Sequence, residues 1–184
     1  MTWRLLLLLL SVAPQSSVSN WTNVKGVETR ELRFLDHVVR FTLSAEKKTK
    51  AGRSRELTVV HTAGTKELWR AKDFVKDCEF DLTLQVIEGS IKVTDLDDDG
   101  EPEVSFLYKL ACRSDVSPLT AKLLFYEGTK KYALRGETRE RVGETEYAGG
   151  AFAADPSFEQ APKPFAEFAR AQWKALVVEA AEPR

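Results

Sequence analysis

Two stretches of the chain alternate apolar and polar residues with a period of two, and this alternation does most to limit what the chain can become. Phe80, Leu82, Leu84 and Val86 interleave with Asp81, Thr83 and Gln85, and Val104, Phe106, Tyr108 and Leu110 repeat the pattern further on. Neighbouring side chains of a β-strand point to opposite faces, so such runs bury one face and wet the other. Further runs rich in Val, Phe, Leu and Thr occupy 30–35, 38–44, 56–61, 67–75, 91–94, 121–126 and 131–134. Turn signals separate them: the polar stretch 46–55 with Gly52, Thr62-Ala63-Gly64-Thr65, Glu88-Gly89 and Glu127-Gly128. Closely spaced strands with short connections predict an antiparallel meander, folded as a sheet or a sandwich. No helical segments alternate with the strands, which argues against a parallel α/β sheet.

The period changes near the C-terminus. Gly149-Gly150, Pro156, Pro162 and Pro164 punctuate a linker over 149–163. Phe165, Phe168, Ala169, Gln172, Trp173, Leu176 and Val177 then recur mostly at helical spacing. This predicts an amphipathic helix over 164–181, started by Pro164 and docked on the sheet through its aromatic stripe. The expected fold is mainly β with a C-terminal α-helix, α+β overall, with the β domain over 20–148. At 184 residues, 43% hydrophobic and 30% charged, the chain suits one domain with a real core. A net charge of −1, from 27 basic and 28 acidic residues, gives no electrostatic reason to expect nucleic acid as a partner.

The first residues read as an address. Arg4 precedes an apolar run, Leu5 to Ala13, and polar residues 14–20 follow. That order is a secretory signal, and the run falls short of the roughly 20 residues that span a bilayer. Cleavage after Ala13 or Ser19 is compatible with the residues. Pro14 disfavours the first, so the signal is set at 1–19, leaving a periplasmic or secreted chain without a transmembrane segment. Asn20-Trp21-Thr22 is an N-glycosylation pattern that matters only in a eukaryotic secretory route. Cys78 and Cys112 are the only cysteines. In an exported chain the pair predicts a disulfide, closing a loop of about 35 residues and stabilising the fold by roughly 3–4 kcal/mol on a chain-entropy model.

The clearest chemistry is Asp95-Leu96-Asp97-Asp98-Asp99-Gly100-Glu101-Pro102-Glu103, a D-x-D-x-D-G-x-x-E pattern with six carboxylates. Such crowding is repulsive unless a cation removes the repulsion, and a hard dication takes oxygen ligands at about 2.3–2.6 Å. Asp95, Asp97 and Asp99 are expected as side-chain ligands, Glu101 through its carbonyl, and Glu103 directly or through water, with Asp98 turned away. Gly100 permits the sharp bend. Ca²⁺ fits better than Mg²⁺, which keeps its waters. The twelfth position is Phe106 rather than the bidentate Glu of an EF-hand, and strands flank the loop. The loop therefore resembles the strand-loop-strand calcium hairpins of FG-GAP repeats; no second copy occurs, which excludes a propeller. The alternative is a solvated acidic hairpin with no metal.

Catalytic patterns are sparse. His37 and His61 lie outside any zinc-hydrolase spacing, and no G-x-S-x-G elbow occurs. Scattered carboxylates leave a glycosidase pair open, because sequence does not give their separation. In the segment after a strand, Asp115 and Ser117 either form an Asx turn or help complete a site beside the metal. Lys130-Lys131-Tyr132 and Arg135 are either an anionic-glycan contact or the wet face of a hairpin.

Part of the chain, from Leu68-Trp69 to about Thr138, resembles a poorly characterised family of exported bacterial proteins. The residues that carry the resemblance are Lys72-Asp73-Phe74-Val75 with Cys78, Thr94-Asp95-Leu96-Asp97, Tyr108-Lys109-Leu110-Ala111-Cys112 through Pro118, Lys122-Leu123, Tyr126-Glu127-Gly128 and Lys131 to Gly136. Members are labelled as surface polysaccharide biosynthesis proteins. The resemblance implies a role at the cell envelope, with surface polysaccharide or an envelope protein as partner, and it identifies no catalytic residue. The combined expectation is an exported, calcium-binding, non-enzymatic β domain. A carboxylate-dependent glycan enzyme and a purely structural module are the alternatives.

Overall fold

The computed structural model describes residues 14–178. The first sheet is built from β1 (Ser16–Val18), β2 (Thr22–Val24), β3 (Val27–Phe34), β4 (His37–Leu43), β5 (Lys47–Thr49), β6 (Gly52–Ala63) and β7 (Lys66–Cys78). Its spine is the antiparallel run β3–β4–β6–β7, with β1 and β2 on the outer edge of β3 and β5 on β6. The second sheet holds β8 (Asp81–Val86), β9 (Lys92–Thr94), β10 (Glu103–Arg113), β11 (Thr120–Glu127), β12 (Lys130–Glu137) and β15 (Phe152–Ala154). Here β8 and β9 share one edge of β10, and β11, β12 and β15 follow on the other. A small hairpin, β13 (Arg139–Arg141) with β14 (Tyr147–Gly149), precedes β15, and α1 (Lys163–Leu176) closes the chain. All strand pairings are antiparallel, as expected of a meander.

The alternating strands make this a sandwich. Leu32 and Phe34 of β3, and Val39, Phe41 and Leu43 of β4, face Val104, Phe106, Tyr108, Leu124 and Tyr126 of the second sheet. Phe41 meets Phe106 edge-on at 5.1 Å, and Trp69 stacks on Tyr126 at 3.9 Å. The positions between do not all reach water. Ser105 and Leu107 are buried too, because α1 covers the other face of the second sheet. The architecture is thus three layers, sheet on sheet on helix, and β10 and β11 are wrapped on both sides.

The aromatic stripe of α1 is spent on that contact, with Phe165, Ala169, Gln172 and Trp173 buried. Gln172 anchors it: Ser105 Oγ donates to its Oε1 at 2.9 Å, and its Nε2 donates to the Ser90 carbonyl at 2.5 Å. Described helix ends at Leu176, where Val177 caps it and Val178 bridges to Arg139. The rest of the expected 164–181 span lies outside the described residues, as do residues 1–13 of the expected signal. Ser16–Val18, within the 1–19 segment, pair as an exposed strand with Leu32–Phe34.

Two segments expected to be irregular are not. The polar stretch 46–55 zips into β5 and the start of β6, leaving Lys50 and Ala51 at the turn. Backbone pairing at a sheet edge asks nothing apolar of the side chains, so composition concealed it. The 149–163 linker contains β15, paired with β12, and a 3-10 turn at Pro156–Glu159 that buries Phe158.

Cys78, ending β7, and Cys112, in β10, are disulfide-bonded with Cα atoms 5.5 Å apart. The bond clips one sheet to the other across a separation of 34 residues. Replacing both by serine should lower unfolding free energy by about 3–4 kcal/mol, measured by urea denaturation of oxidised wild type against the double variant.

At the other end of the sandwich, His37 Nδ1 and His61 Nε2 are 2.8 Å apart. His61 is 3% exposed, and its Nδ1 finds no partner. Burial, with His37 alongside, pushes the His61 pKa from 6.5 down to about 4. The unfolded chain therefore binds this proton more readily than the folded one, so the stability is intact above pH 6.5 and is lost as pH falls towards 4. The loss is at most about 3 kcal/mol. Urea midpoints across this window should show a steeper acid decline for wild type than for His61→Gln.

Candidate metal centre

The acidic loop begins and ends in register. Thr94 of β9 pairs with Glu103 of β10, so residues 95–102 must reverse the chain over one strand spacing. Gly100 makes the bend at φ +84°, a region that a Cβ disfavours, and Asp98 takes φ +61°, which a short polar side chain tolerates. Asp99 Oδ1 accepts from the Glu101 N–H at 2.7 Å, tightening the turn. Two pegs hold the loop to the domain. Leu96 packs into the core beneath α1. Glu103 accepts from Thr94 Oγ1 at 2.7 Å and from the Leu96 N–H at 3.1 Å.

This folding gathers carboxylates. Ligand atoms of Asp95, Asp97 and Asp99 lie within 4.8 Å of one another, and so do those of Asp97, Glu103 and Glu127. Asp95 Oδ1 and Asp97 Oδ1 are shut off from solvent without any hydrogen-bond partner. Glu103 is 0% and Glu127 6% exposed, and the two stand directly opposite across β10 and β11. Like charges so placed destabilise a sheet. The Glu103 carboxyl sits above its usual pKa range: burial does most, Asp97 and Asp95 add to it, and the bonds from Thr94 and Leu96 oppose it. Within the group, the buried oxygens that lack a donor are Asp95 Oδ1 and Asp97 Oδ1, and a hard cation takes oxygens of this kind at about 2.3–2.6 Å.

Of the residues expected from sequence, Asp95, Asp97 and Asp99 converge, and Glu103 sits at the floor of the loop. Glu101 supplies its N–H to the turn and lays its side chain over Gly128 in the β11–β12 turn, where a Cβ would strike it. Asp115 and Ser117 are not brought to the site. They occupy the opposite end of β10, whose 11 residues span roughly 35 Å. There Asp115 Oδ1 accepts from the N–H of Ser117 at 3.1 Å and from its hydroxyl at 2.5 Å, an Asx turn that serves the backbone. Glu127 escaped the sequence reading, which took it as a turn residue. Comparison with protein-family models, curated proteins and solved structures finds no match.

Gly100→Ala meets open space but keeps the wrong backbone region. It should lower unfolding free energy by about 1–2 kcal/mol in urea titrations while leaving the disulfide intact.

Proposed function

We propose that this chain is an exported, non-enzymatic β domain whose acidic loop holds Ca²⁺ and which binds or supports a component of the cell envelope. One observation carries the metal: two loop carboxylate oxygens, Asp95 Oδ1 and Asp97 Oδ1, are buried without a donor, with further carboxylates close by. A buried charge left unpaired costs several kcal/mol, and a dication supplies what the protein does not. The disulfide supports an oxidising compartment, in keeping with a signal peptide. Among the described residues no helix is long and apolar enough to cross a membrane. The resemblance to envelope proteins points to surface polysaccharide as the component served.

Burial weighs against the glycan-enzyme alternative at this site. A glycosidase acid must touch the glycosidic oxygen, and Glu103 and Glu127 are closed to a substrate of that size.

Calorimetric titration of the oxidised protein should give Ca²⁺ binding at or below the 10⁻⁴–10⁻³ M of extracellular modules, with Mg²⁺ weaker. With Kd near 10⁻⁴ M, 10 mM Ca²⁺ should add about 2.7 kcal/mol to stability. Asp97→Asn with Asp99→Asn should abolish the heat and the stabilisation. Absence of both in wild type at millimolar Ca²⁺ ends the metal reading. Envelope-glycan binding that survives in the folded double variant would make the metal purely structural, and sugar release lost with one carboxylate would favour the enzyme.

A further inference from the structure

Strand geometry denies the acidic loop the ligand that an EF-hand takes from its twelfth position. That position is Phe106, whose ring lies in the core between the sheets against Phe41. Side chains alternate along β10, so Glu103 and Ser105 point to the helix side and Val104 and Phe106 to the other. No residue of β10 beyond Glu103 returns an oxygen to the loop: Ser105 is taken up by Gln172, and Leu107 is apolar. The next strand can. Glu127 is opposite Glu103, and both project to the face that Leu123 and Phe125 share beneath α1.

We infer that Glu127, from the neighbouring hairpin, is a direct ligand of the same cation and takes the place of the absent twelfth-position carboxylate. The inference rests on the calcium reading of the loop. Two ligands on opposite sides of Ca²⁺ are about 5 Å apart, and oxygens of Asp97 and Glu127 lie within 4.8 Å of each other, close enough to share an ion. Asp97 is the hinge of the arrangement, belonging both to the group of three aspartates and to the group with Glu103 and Glu127. Its buried, donorless Oδ1 points to a ligand independently of the crowding. Glu103 already gives its oxygens to Thr94 and Leu96, and so serves the loop's shape. Glu127 takes a hydrogen bond from the Tyr132 hydroxyl, a neutral donor that supplies no counter-charge. Its cationic partner is Lys130, at 3.3 Å, whose side chain is 75% exposed. An exposed ammonium is a weak counter-charge for a carboxylate that is 7% exposed. The Glu101 side chain lies over Gly128, so the loop and the turn that follows Glu127 are neighbours. The ion would then staple the β9–β10 loop to the β11–β12 hairpin, and its affinity would depend on the folded sheet as well as on the loop sequence.

Glu127→Gln, Glu127→Asp and Lys130→Met separate the roles in the oxidised full chain. Ca²⁺ affinity should fall at least about tenfold in Glu127→Gln. Bound Tb³⁺, probed by luminescence lifetimes in H₂O and D₂O, should gain one or two coordinated waters. Glu127→Asp, one methylene short, should lose affinity as well while keeping its charge. Lys130→Met should leave affinity unchanged or tighten it. Melting without metal checks the fold, and Glu127→Gln should melt no lower than wild type, since it relieves the opposition to Glu103. Wild-type affinity and hydration retained in Glu127→Gln would overturn the inference and leave the loop's calcium intact. An equal loss in Lys130→Met would also overturn it, because the ion pair would then be what matters. A wild type that binds no Ca²⁺ would remove both.

Discussion

The pairing of β10 with β11 is the constraint on which the rest of the molecule depends. These two strands form the middle layer, wrapped by the first sheet on one face and by α1 on the other. Their register runs unbroken from Glu103↔Glu127 to Leu110↔Thr120. A slip of one residue would send Phe106 towards the helix and Leu107 into the sandwich, exchanging two cores that are already filled. Because both faces are buried, the register is specified twice. That rigidity sets the acidic groups at one end of the pair, while the disulfide at Cys112 ties β10 to β7 towards the other.

Seen from this layer, the carboxylates are a local violation that the fold tolerates. A sheet gains nothing from opposing two glutamates away from water, and a hydrophobic pair there would be more stable. Elsewhere the protein handles buried charge conventionally. Asp73, reaching across from β7, accepts from Tyr108 at 2.8 Å and from Lys122 at 2.6 Å. Burial is the largest influence on its carboxyl and acts upward, yet the bonds from Lys122, Tyr108 and the Phe74 N–H together bring its pKa below the usual range. Glu103 goes the other way: burial raises its pKa, the bonds from Thr94 and Leu96 do not offset it, and Asp97 and Asp95 add to the rise. Burial pushes both carboxyls upward, and the difference lies in the partners: Asp73 has Lys122 and Tyr108, whereas Glu103 has two aspartates close by.

Much of the layer plan was legible in the residues. Period-two alternation located β8 and β10, and the spacing of Phe165, Ala169, Gln172 and Trp173 located α1 and its docked face. The loop's odd-numbered aspartates were visible because one turn brings them together. Glu127 was hidden because its place depends on register, a property of two strands at once. The signal was nonetheless present: reflecting Glu103 about the turn centred on Asp115 lands on Glu127. The edge pairing of β5 and the course of β15 left no such trace, since they rest on backbone hydrogen bonds that any side chain permits.

The same alternation that builds the sandwich decides what kind of cation loop it can carry. A helix leaving such a loop returns its twelfth residue to the loop's own face, whereas a strand hands alternate residues to opposite sides. Here the twelfth position goes to Phe106 and the core between the sheets, a worthwhile use for a ring that is 0% exposed and contacts Phe41, Trp69 and Tyr108. A carboxylate at Phe106 would lie on the wrong side of the sheet from the loop and would empty part of that core. For the proposed calcium site, completion from an adjacent strand on the loop's own face would resolve the conflict, and β11 is the strand that the register offers.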